Sequence, residues 1–251
     1  MSTDTTPGTS AWIRRFHTGP RGAPALVCLP HAGGSASYFF PVSRRLSSVA
    51  DVLAIQYPGR QDRRREPCLD SVDALADALT EELRPLRGVP LVLFGHSLGA
   101  TVAFETARRL EAEGAAPLAL FASGRRAPST VRDERVHLKD DEALIADIAR
   151  LDGTHDQVLG DEEVMRMILP AIRADYRAAE TYRYVPGPAL TCPVTVLTGD
   201  ADPHVTSAEA HAWRRHTTGA FEVEVFPGGH FFLNSHAPAV MTLIEACLRP
   251  T

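Results

Sequence analysis

Short apolar segments that alternate with helical patterns limit most strongly how this chain can fold. The apolar segments are PALVCLP (24–30), DVLAIQYP (51–58), PLVLFG (90–95), PLALFASG (117–124), PVTVLTG (193–199) and FEVEVFPG (221–228). Most of them lack the polar–apolar alternation of a half-exposed strand, so they predict strands buried on both faces. Such strands, separated by helices, predict an α/β fold with a mostly parallel central sheet flanked by helices.

Two helical patterns lie between these strands. Segment 71–83 places apolar side chains on one face, at Val72, Leu75, Ala76, Leu79 and Leu83. Segment 101–114 ends at Gly114, and glycine readily adopts the left-handed backbone that ends many helices. Both patterns therefore predict helices that join consecutive strands.

The connection from Gly124 to Pro193 is longer than one crossover helix requires. It contains two helical patterns, at 137–151 and 161–182. The second pattern places apolar side chains near one face, at Val164, Ile168, Ile172, Tyr176 and Ala179, while Pro170 interrupts a backbone hydrogen bond. Two compatible interpretations stay open: a helical subdomain packed on the core, or a mobile lid over a binding cleft.

These patterns predict one folded unit rather than several. We expect a flexible N-terminal tail at residues 1–10 and a single domain at residues 11–251. The helical lid insertion occupies about residues 125–190 of that domain.

Composition excludes several classes of function. The chain has 251 residues, 44% of them hydrophobic, and a formal net charge of -5, which argues against broad binding to nucleic acid or to an anionic membrane. The N-terminus has neither a basic flank nor an apolar run, so we predict a cytoplasmic protein. The four cysteines fit no disulfide framework or zinc pattern, and we expect no metal and no cofactor.

The segment Gly-His-Ser-Leu-Gly at 95–99 is the strongest chemical motif. It follows a predicted strand and precedes a predicted helix, and its two glycines permit a sharp turn between them. Such a turn exposes the Ser97 hydroxyl above the edge of the sheet, where it can act as a nucleophile. The alternative is a turn in which Ser97 has only a structural role. We predict a nucleophile.

A nucleophilic serine requires an imidazole that takes its proton and a carboxylate that orients the imidazole. In chains with this turn, the acid and then the histidine follow the serine. Asp200 and Asp202 follow the strand at 193–199, and His230 follows the strand at 221–228. We predict Asp202 as the acid, with Asp200 as the alternative, and His230 as the base because two glycines precede it.

Other histidines are weaker candidates for the base. His204 and His236 lie near the predicted acid and base in the sequence. His211 and His216 belong to a predicted helix, where we expect them to be solvated.

The negative charge of a tetrahedral intermediate needs preorganised N–H donors. The residue after the nucleophile supplies one of them, so we predict the Leu98 amide. The loop in PHAGGSASYF (30–39) has small residues, which allow close approach of the main chain, and we predict the Ala32 amide as the second donor. A phosphate cradle is a poorer interpretation of this loop, because the lysine and spacing of a P-loop are missing.

Together these segments resemble the type II thioesterases of polyketide and nonribosomal peptide synthesis, which are α/β-hydrolases. The resemblance extends from about residue 12 to residue 248. It is carried by LPHAGGSASYF, QYPGRQDRRREP, FGHSLGA, LFASGRRAP, LPAIRADYRAAETYRY, LTGDADPHV and PGGHFFL. YPGR with its basic run, and RADY in the insertion, distinguish this pattern from generic esterases.

The resemblance implies an α/β-hydrolase fold and an editing activity. The expected substrates are short or aberrant acyl thioesters on the phosphopantetheine arm of acyl carrier proteins, bound transiently. The same resemblance implies triad roles for Ser97, Asp202 and His230, oxyanion-hole roles for Ala32 and Leu98, and a lid role for the insertion. We expect a monomer.

Six arginines are candidates for contacts with an acidic carrier or with the phosphate of its arm. They are Arg60, Arg63, Arg64, Arg65, Arg125 and Arg126. A solvated arginine-rich loop without a binding role is the alternative interpretation.

Three other functions stay open. A small-molecule carboxylesterase or a macrocycle-forming thioesterase uses the same triad, since the triad itself does not select thioesters. A non-catalytic ligand-binding protein with this fold is the third, and a test for turnover separates it from the enzymes.

Overall fold

The computed structural model describes residues 10–149 and 162–249. In these residues seven strands form one sheet, in the order β1-β3-β2-β4-β5-β6-β7. The strands are β1 (Ile13–Arg14), β2 (Ala25–Leu29), β3 (Asp51–Ile55), β4 (Leu91–His96), β5 (Ala119–Ser123), β6 (Val194–Gly199) and β7 (Phe221–Phe226). Strands β2 to β7 pair in parallel, and β1 pairs antiparallel with β3.

All six predicted strands are confirmed, and β1 was not predicted. Its two residues, Ile13 and Arg14, are too few to show a period in the sequence. The opposite edge strand, β7, is partly exposed, with Val225 exposed, so it is not among the strands buried on both faces. An edge strand has a neighbour on one side only, and less of it is covered.

Helices α1 (Phe40–Leu46), α2 (Val72–Leu83), α3 (Leu98–Ala112), α6 (Ser207–His211) and α7 (Phe232–Leu248) accompany the sheet. Alternate side chains of a strand point to opposite faces, so each strand contributes to two cores. Val27 packs with α2 and α3 on one face, whereas Leu26 and Cys28 pack with α1 and α7 on the other. The predicted α/β fold with helices on both faces is confirmed.

The helix α3 ends as the sequence predicts. Gly114 adopts a left-handed backbone, with φ of +76°, directly after the C-cap residue Glu113. The next amide, Ala115 N–H, donates to the Leu110 carbonyl at 2.8 Å and satisfies one of the unpaired carbonyls at the helix end.

Two helices of the long connection form a small apolar core of their own. They are α4 (Asp141–Ala149) and α5 (Glu162–Thr181), and the core contains Leu144, Ile148, Met165, Leu169 and Ile172. The buried face of α5 is therefore rotated from the predicted one, because Val164, Ile168 and Tyr176 are only half-buried. The predicted end of the first helix and start of the second fall in residues 150–161, outside the described residues.

Candidate active site

Ser97 lies in a tight turn between β4 and α3. Its backbone has φ of +54° and ψ of −117°, a conformation that few non-glycine residues adopt. The Ser97 N–H donates to the Ser123 carbonyl of the neighbouring strand at 2.8 Å, which holds the turn in place. The structure therefore has the strained strand-to-helix turn that exposes a serine side chain.

The flanking glycines are required by close backbone contacts. A Cβ atom on Gly95 would lie 2.2 Å from the Gly99 carbonyl oxygen, and one on Gly99 would lie 2.2 Å from the Leu29 carbonyl oxygen. Neither contact is sterically possible, so both positions exclude any side chain while the backbone keeps this path. Because Gly95 and Gly99 have no Cβ atom, α3 can lie directly against the ends of β2 and β4.

His230 and Asp202 form a buried pair beyond the ends of β7 and β6. The Nδ1 atom of His230 lies 2.9 Å from the Oδ2 atom of Asp202. Oδ1 of Asp202 accepts a hydrogen bond from the His204 N–H at 2.8 Å. A carboxylate oxygen accepts hydrogen bonds, so this contact suits a His230 ring that donates from Nδ1 and leaves Nε2 for a contact outside the pair.

A cavity of about 110 Å³ brings the predicted groups together. Ser97, Leu98, Ala32 and His230 all line it, and Asp202 lies behind His230. The further lining residues are His31, Gly124, Arg125, Glu134, Val136, Tyr176, Ala179, Glu180, His204 and Phe231. Sequence positions from 31 to 231 thus converge where the parallel strands end, as the general rule for α/β sheets predicts.

Both predicted oxyanion donors lie at this cavity. Leu98 is the first residue of α3, so its N–H has no carbonyl four residues earlier in the helix to bond. The helix N-terminus also favours negative charge at this point. Ala32 belongs to the loop after β2, and the following residue, Gly33, has a left-handed φ of +76°.

The alternative acid and bases have other contacts. Asp200 accepts a hydrogen bond from the Gly228 N–H at 2.9 Å and is not paired with any histidine of the described ranges. His236 Nε2 lies 3.0 Å from the Pro227 carbonyl oxygen, and His236 does not line the cavity. His204 does line it, with its ring 5.2 Å from that of His230.

The expectation that His216 is solvated was wrong, whereas His211 is exposed. His216 is buried among aromatic rings, and its Nε2 lies 2.9 Å from the Ser129 hydroxyl. Burial lowers the pKa of His216 to about 4, so the side chain is neutral.

Two histidines beside the site, the half-buried His31 and the buried His96, were not predicted. Burial lowers the pKa of His31 to about 3 and holds the pKa of His96 well below its usual range, so both are neutral. The His96 ring lies 5.0 Å from the His230 ring, and its Nδ1 lies 3.0 Å from the Ser123 hydroxyl. The surroundings of both histidines follow from tertiary packing, which the motif around Ser97 does not reveal.

Two carboxylates of the cavity wall were also not predicted. The contact with His204 and the guanidinium of Arg126 together lower the pKa of Glu134 to about 2. Glu180 accepts hydrogen bonds from the N–H groups of Val136 and His137, at 2.9 and 3.1 Å. Neither residue belongs to a local motif in the sequence that would indicate a place at the cavity.

Three of the six candidate docking arginines are buried in internal ion pairs, which contradicts their expected role. Arg60 pairs with Asp175, Arg63 with Glu66, and Arg126 with Glu134. Each is at most 7% exposed, so its guanidinium is not accessible to a carrier.

The other three arginines have different settings. Arg64 and Arg65 are exposed. Arg125 lines the cavity and donates to the Thr101 hydroxyl at 2.9 Å and the Ala179 carbonyl at 3.0 Å. Burial, with the like charge of Arg126, lowers the pKa of Arg125 to about 10, which leaves it charged at neutral pH.

Neither a metal cluster nor a membrane helix occurs in residues 10–149 and 162–249. No group of three or more His, Cys, Asp or Glu side chains there is arranged to hold a metal ion. No helix in these ranges is long and apolar enough to cross a membrane.

Comparison with known proteins identifies the family. The family model described as "Thioesterase domain" matches residues 24–248. The chain belongs to the thioesterase family. It is therefore a hydrolase that acts on thioesters, with an α/β-hydrolase fold, and the expected fold class and family resemblance are confirmed.

Two curated relatives of this thioesterase come from Streptomyces. The chain is 56% identical over 239 residues to the "Probable cadicidin biosynthesis thioesterase" of Streptomyces griseus, covering 95% of this chain and 66% of that protein. It is 55% identical over 225 residues to "Thioesterase PikA5" of Streptomyces venezuelae, covering 89% of this chain and 80% of the relative. The chain thus spans about two thirds to four fifths of these relatives.

A solved structure matches this thioesterase over nearly its whole length. It is the type II thioesterase BorB from the borrelidin biosynthetic cluster, with a TM-score of 0.91 and 54% sequence identity. The match covers 96% of this chain and 98% of the BorB chain.

Proposed function

We propose that this thioesterase releases short or aberrant acyl groups from the phosphopantetheine arm of carrier proteins in polyketide or nonribosomal peptide synthesis. The observation that carries the proposal is the cavity that Ser97 shares with His230, with Asp202 bonded behind the imidazole. Relatives named for cadicidin and borrelidin biosynthesis support the carrier-bound substrate.

Hydrolysis proceeds through an acyl-enzyme. The Ser97 oxygen attacks the thioester carbonyl carbon while His230 Nε2 takes the hydroxyl proton. The C–S bond breaks, and the departing sulfur receives that proton from His230. Water then attacks the acyl–Ser97 ester, with His230 again as the base, which frees the acid and regenerates the serine.

Asp202 and the two amides assist these steps without forming bonds to the substrate carbon. Asp202 holds His230 in one tautomer and stabilises the imidazolium while it exists. The N–H groups of Ala32 and Leu98 stabilise the carbonyl oxygen as it becomes negative. A thiolate leaves more readily than an alkoxide because the pKa of a thiol is lower than that of an alcohol. Cleavage of a thioester therefore depends less on proton donation by His230 than cleavage of an oxygen ester does.

The dimensions of the cavity support short acyl groups. Its volume of about 110 Å³ is well below the roughly 300–1,000 Å³ of ligand clefts that take drug-sized molecules. Val136, Tyr176, Ala179 and Glu180 contribute to its wall, and all four lie between β5 and β6. We therefore assign these inserted residues the role of a lid that limits the acyl group.

The test compares a propionyl group on a phosphopantetheinylated carrier with the same group on a simple alcohol. Wild type should release it faster from the carrier, and Ser97→Ala should lower kcat by several orders of magnitude. Ser48→Ala is the matched control, because Ser48 is exposed and outside the cavity.

Three outcomes of this test contradict the proposal. Preference for the oxygen ester, with the carrier ignored, indicates a carboxylesterase. Near-normal turnover by Ser97→Ala removes the nucleophile assignment, and no turnover by wild type indicates a binding protein.

Arg64 and Arg65 remain as the proposed docking contacts for an acidic carrier. Reversal of both charges, Arg64→Glu with Arg65→Glu, should lower kcat/KM on carrier-bound substrate by about tenfold through slower association. Hydrolysis of propionyl-pantetheine, which has no carrier, should not change.

The control for docking reverses two other exposed arginines, Arg21→Glu with Arg44→Glu. Arg21 precedes β2 and so lies toward the sheet edge opposite the carboxyl ends of the strands. Unchanged kcat/KM in the Arg64 and Arg65 variant, or an equal loss in the control, would show that these two residues do not form the docking site.

A further inference from the structure

A buried ion pair connects the inserted helix α5 to the segment after β3. Arg60 Nη1 lies 2.7 Å from Asp175 Oδ2, and Arg60 Nη2 lies 2.8 Å from Asp175 Oδ1. The side chains are 7% and 0% exposed. Two parallel charge-assisted hydrogen bonds fix the relative geometry of the two groups more strictly than a single contact would.

Both members of this pair also bond the loop that follows β2. Asp175 Oδ2 accepts a hydrogen bond from the Gly33 N–H at 2.7 Å, and Arg60 Nη1 donates to the Gly34 carbonyl at 3.0 Å. Gly33 and Gly34 are the two residues that follow Ala32, whose amide is the proposed second oxyanion donor. The ion pair therefore holds the backbone immediately beside that donor.

Further contacts restrict the same loop. Gln56 accepts a hydrogen bond from the Ala36 N–H at 2.9 Å and donates to the Arg60 carbonyl at 3.2 Å. A Cβ atom on Gly33 would lie 2.7 Å from Ile172 Cγ1 of α5, so the helix packs directly on the loop backbone. Side-chain bonds and packing thus restrain the loop from 33 to 36.

We propose that Arg60 and Asp175 are positioning residues that hold the loop at 32–34 so that the Ala32 N–H points at the developing oxyanion. The inference rests on the proposed function, because it takes Ser97 as the nucleophile and Ala32 as a donor. An oxyanion donor contributes most when it is placed before the reaction and does not have to reorganise. A displacement of about 1 Å costs up to about 100-fold in rate.

The same geometry couples the inserted helix to catalysis. α5 cannot move away from the sheet at Asp175 without breaking the ion pair and releasing Gly33. Any opening of the lid that displaces this part of α5 therefore also disorganises the oxyanion hole.

Asp175→Asn is the principal test, because it keeps the shape of the side chain and removes its charge. We expect kcat for propionyl thioester hydrolysis to fall by about 10-fold to 100-fold, with KM within about threefold of wild type. The KM is preserved because the oxyanion forms only after the substrate has bound. Assays are made well below the melting temperature of each variant.

Glu105→Gln is the matched control for loss of stability. Glu105 is a buried carboxylate on α3 that pairs with Arg108 and Arg109, and it does not line the catalytic cavity. Its neutralisation should lower the melting temperature and leave kcat near wild type. Equal kcat losses in both variants, or an unchanged kcat in Asp175→Asn, would overturn the positioning role.

Arg60→Lys provides a second variant that keeps the buried charge balance and so should fold. Lysine lacks the planar fork, so it cannot keep both bonds to Asp175 and the bond to Gly34. A loss of kcat smaller than that of Asp175→Asn is expected, again with KM preserved. If kcat is at the wild-type level both in a folded Arg60→Lys protein and in Asp175→Asn, the ion pair has no positioning role.

Hydrogen exchange separates failure of this inference from failure of the proposed function. Amides of residues 31–36 should exchange faster in Asp175→Asn than in wild type and in Glu105→Gln, whether or not the assay substrate is correct. Unchanged exchange overturns the positioning role, whereas absence of Ser97-dependent turnover in wild type overturns the proposed function alone.

Discussion

Asp202 differs from Asp200 only in what surrounds it, although both carboxylates follow the same strand. Asp202 is buried and bonds His230 Nδ1, while Asp200 bonds the Gly228 amide. Two residues along the chain therefore separate a group that orients an imidazole from one that stabilises a turn. The difference arises because the loop after β6 directs one carboxylate inward and leaves the other at the surface.

Asp202→Asn tests this distinction at the level of a single atom. The amide donates as well as accepts, so His230 can adopt the tautomer in which Nε2 carries the proton and cannot act as a base. By analogy with the same change in another serine hydrolase, kcat should fall by about 10⁴-fold. Steady-state kinetics on a propionyl thioester measures the loss.

Asp200→Asn is the control, because its side-chain oxygen still accepts the hydrogen bond from Gly228. We expect its kcat to stay within about threefold of wild type, since an intact turn leaves His230 in place. A larger loss in Asp200→Asn than in Asp202→Asn would reverse the assignment of the acid.

Helix α3 shows how one element serves both folding and the site. Its N-terminus directs the Leu98 amide to the cavity, and its body packs on the sheet through Val102, Ala103 and Phe104. Gly99 allows this helix to lie against the Leu29 carbonyl, where no side chain fits. The position of the proposed oxyanion donor therefore depends on a packing contact in the first turn of the helix.

Gly99→Ala should lower the free energy of unfolding by about 3 kcal/mol, because a Cβ atom there forces α3 away from β2. Gly114→Ala, past the other end of the helix, should cost only about 1 kcal/mol. Gly114 has a left-handed φ, but a Cβ atom there meets open space. Urea unfolding of both variants gives the two values, and equal costs would contradict the contact argument.

Neutral histidines with lowered pKa values link the stability of the whole molecule to pH. His31, His96 and His216 all have pKa values lowered by burial. An unfolded chain protonates these side chains near pH 6.5, whereas the folded protein does so only at lower pH. Because the unfolded state then binds more protons, stability decreases as the pH falls from about 6.5 toward 4.

His216→Phe should reduce this sensitivity to acid. His216 takes up a proton near pH 4 in the folded protein and near pH 6.5 in the unfolded chain. Between pH 7 and pH 5, wild type should lose roughly 2 kcal/mol more free energy of unfolding than His216→Phe does. Urea unfolding at the two pH values measures the difference.

His211→Gln is the control for this comparison, because His211 is exposed and lies five residues away on the same segment. Its loss of stability between the two pH values should match that of wild type. A loss in His216→Phe equal to that of wild type would show that His216 does not contribute to the pH dependence.

Local patterns in the sequence were sufficient for most of the sheet and for the common location of the three residues of the proposed triad. Six strands were predictable because a buried strand is a short apolar run wherever it lies in the chain. The close placement of Ser97, Asp202 and His230 was predictable because each follows a strand, and the carboxyl ends of parallel strands meet at one edge. The two-residue strand β1 was not predictable, because it has no period.

Only the tertiary structure decided which charged groups meet. Arg60 and Asp175 are separated by 115 positions, and nothing local to either shows that they pair beside Gly33. The same holds for the burial of Arg63, Arg126 and His216, which the sequence suggested were accessible. The periodicity of a segment indicates which face of a helix or strand is buried. The partner of a buried charge depends instead on how elements distant in the sequence pack together, and no single segment contains that information.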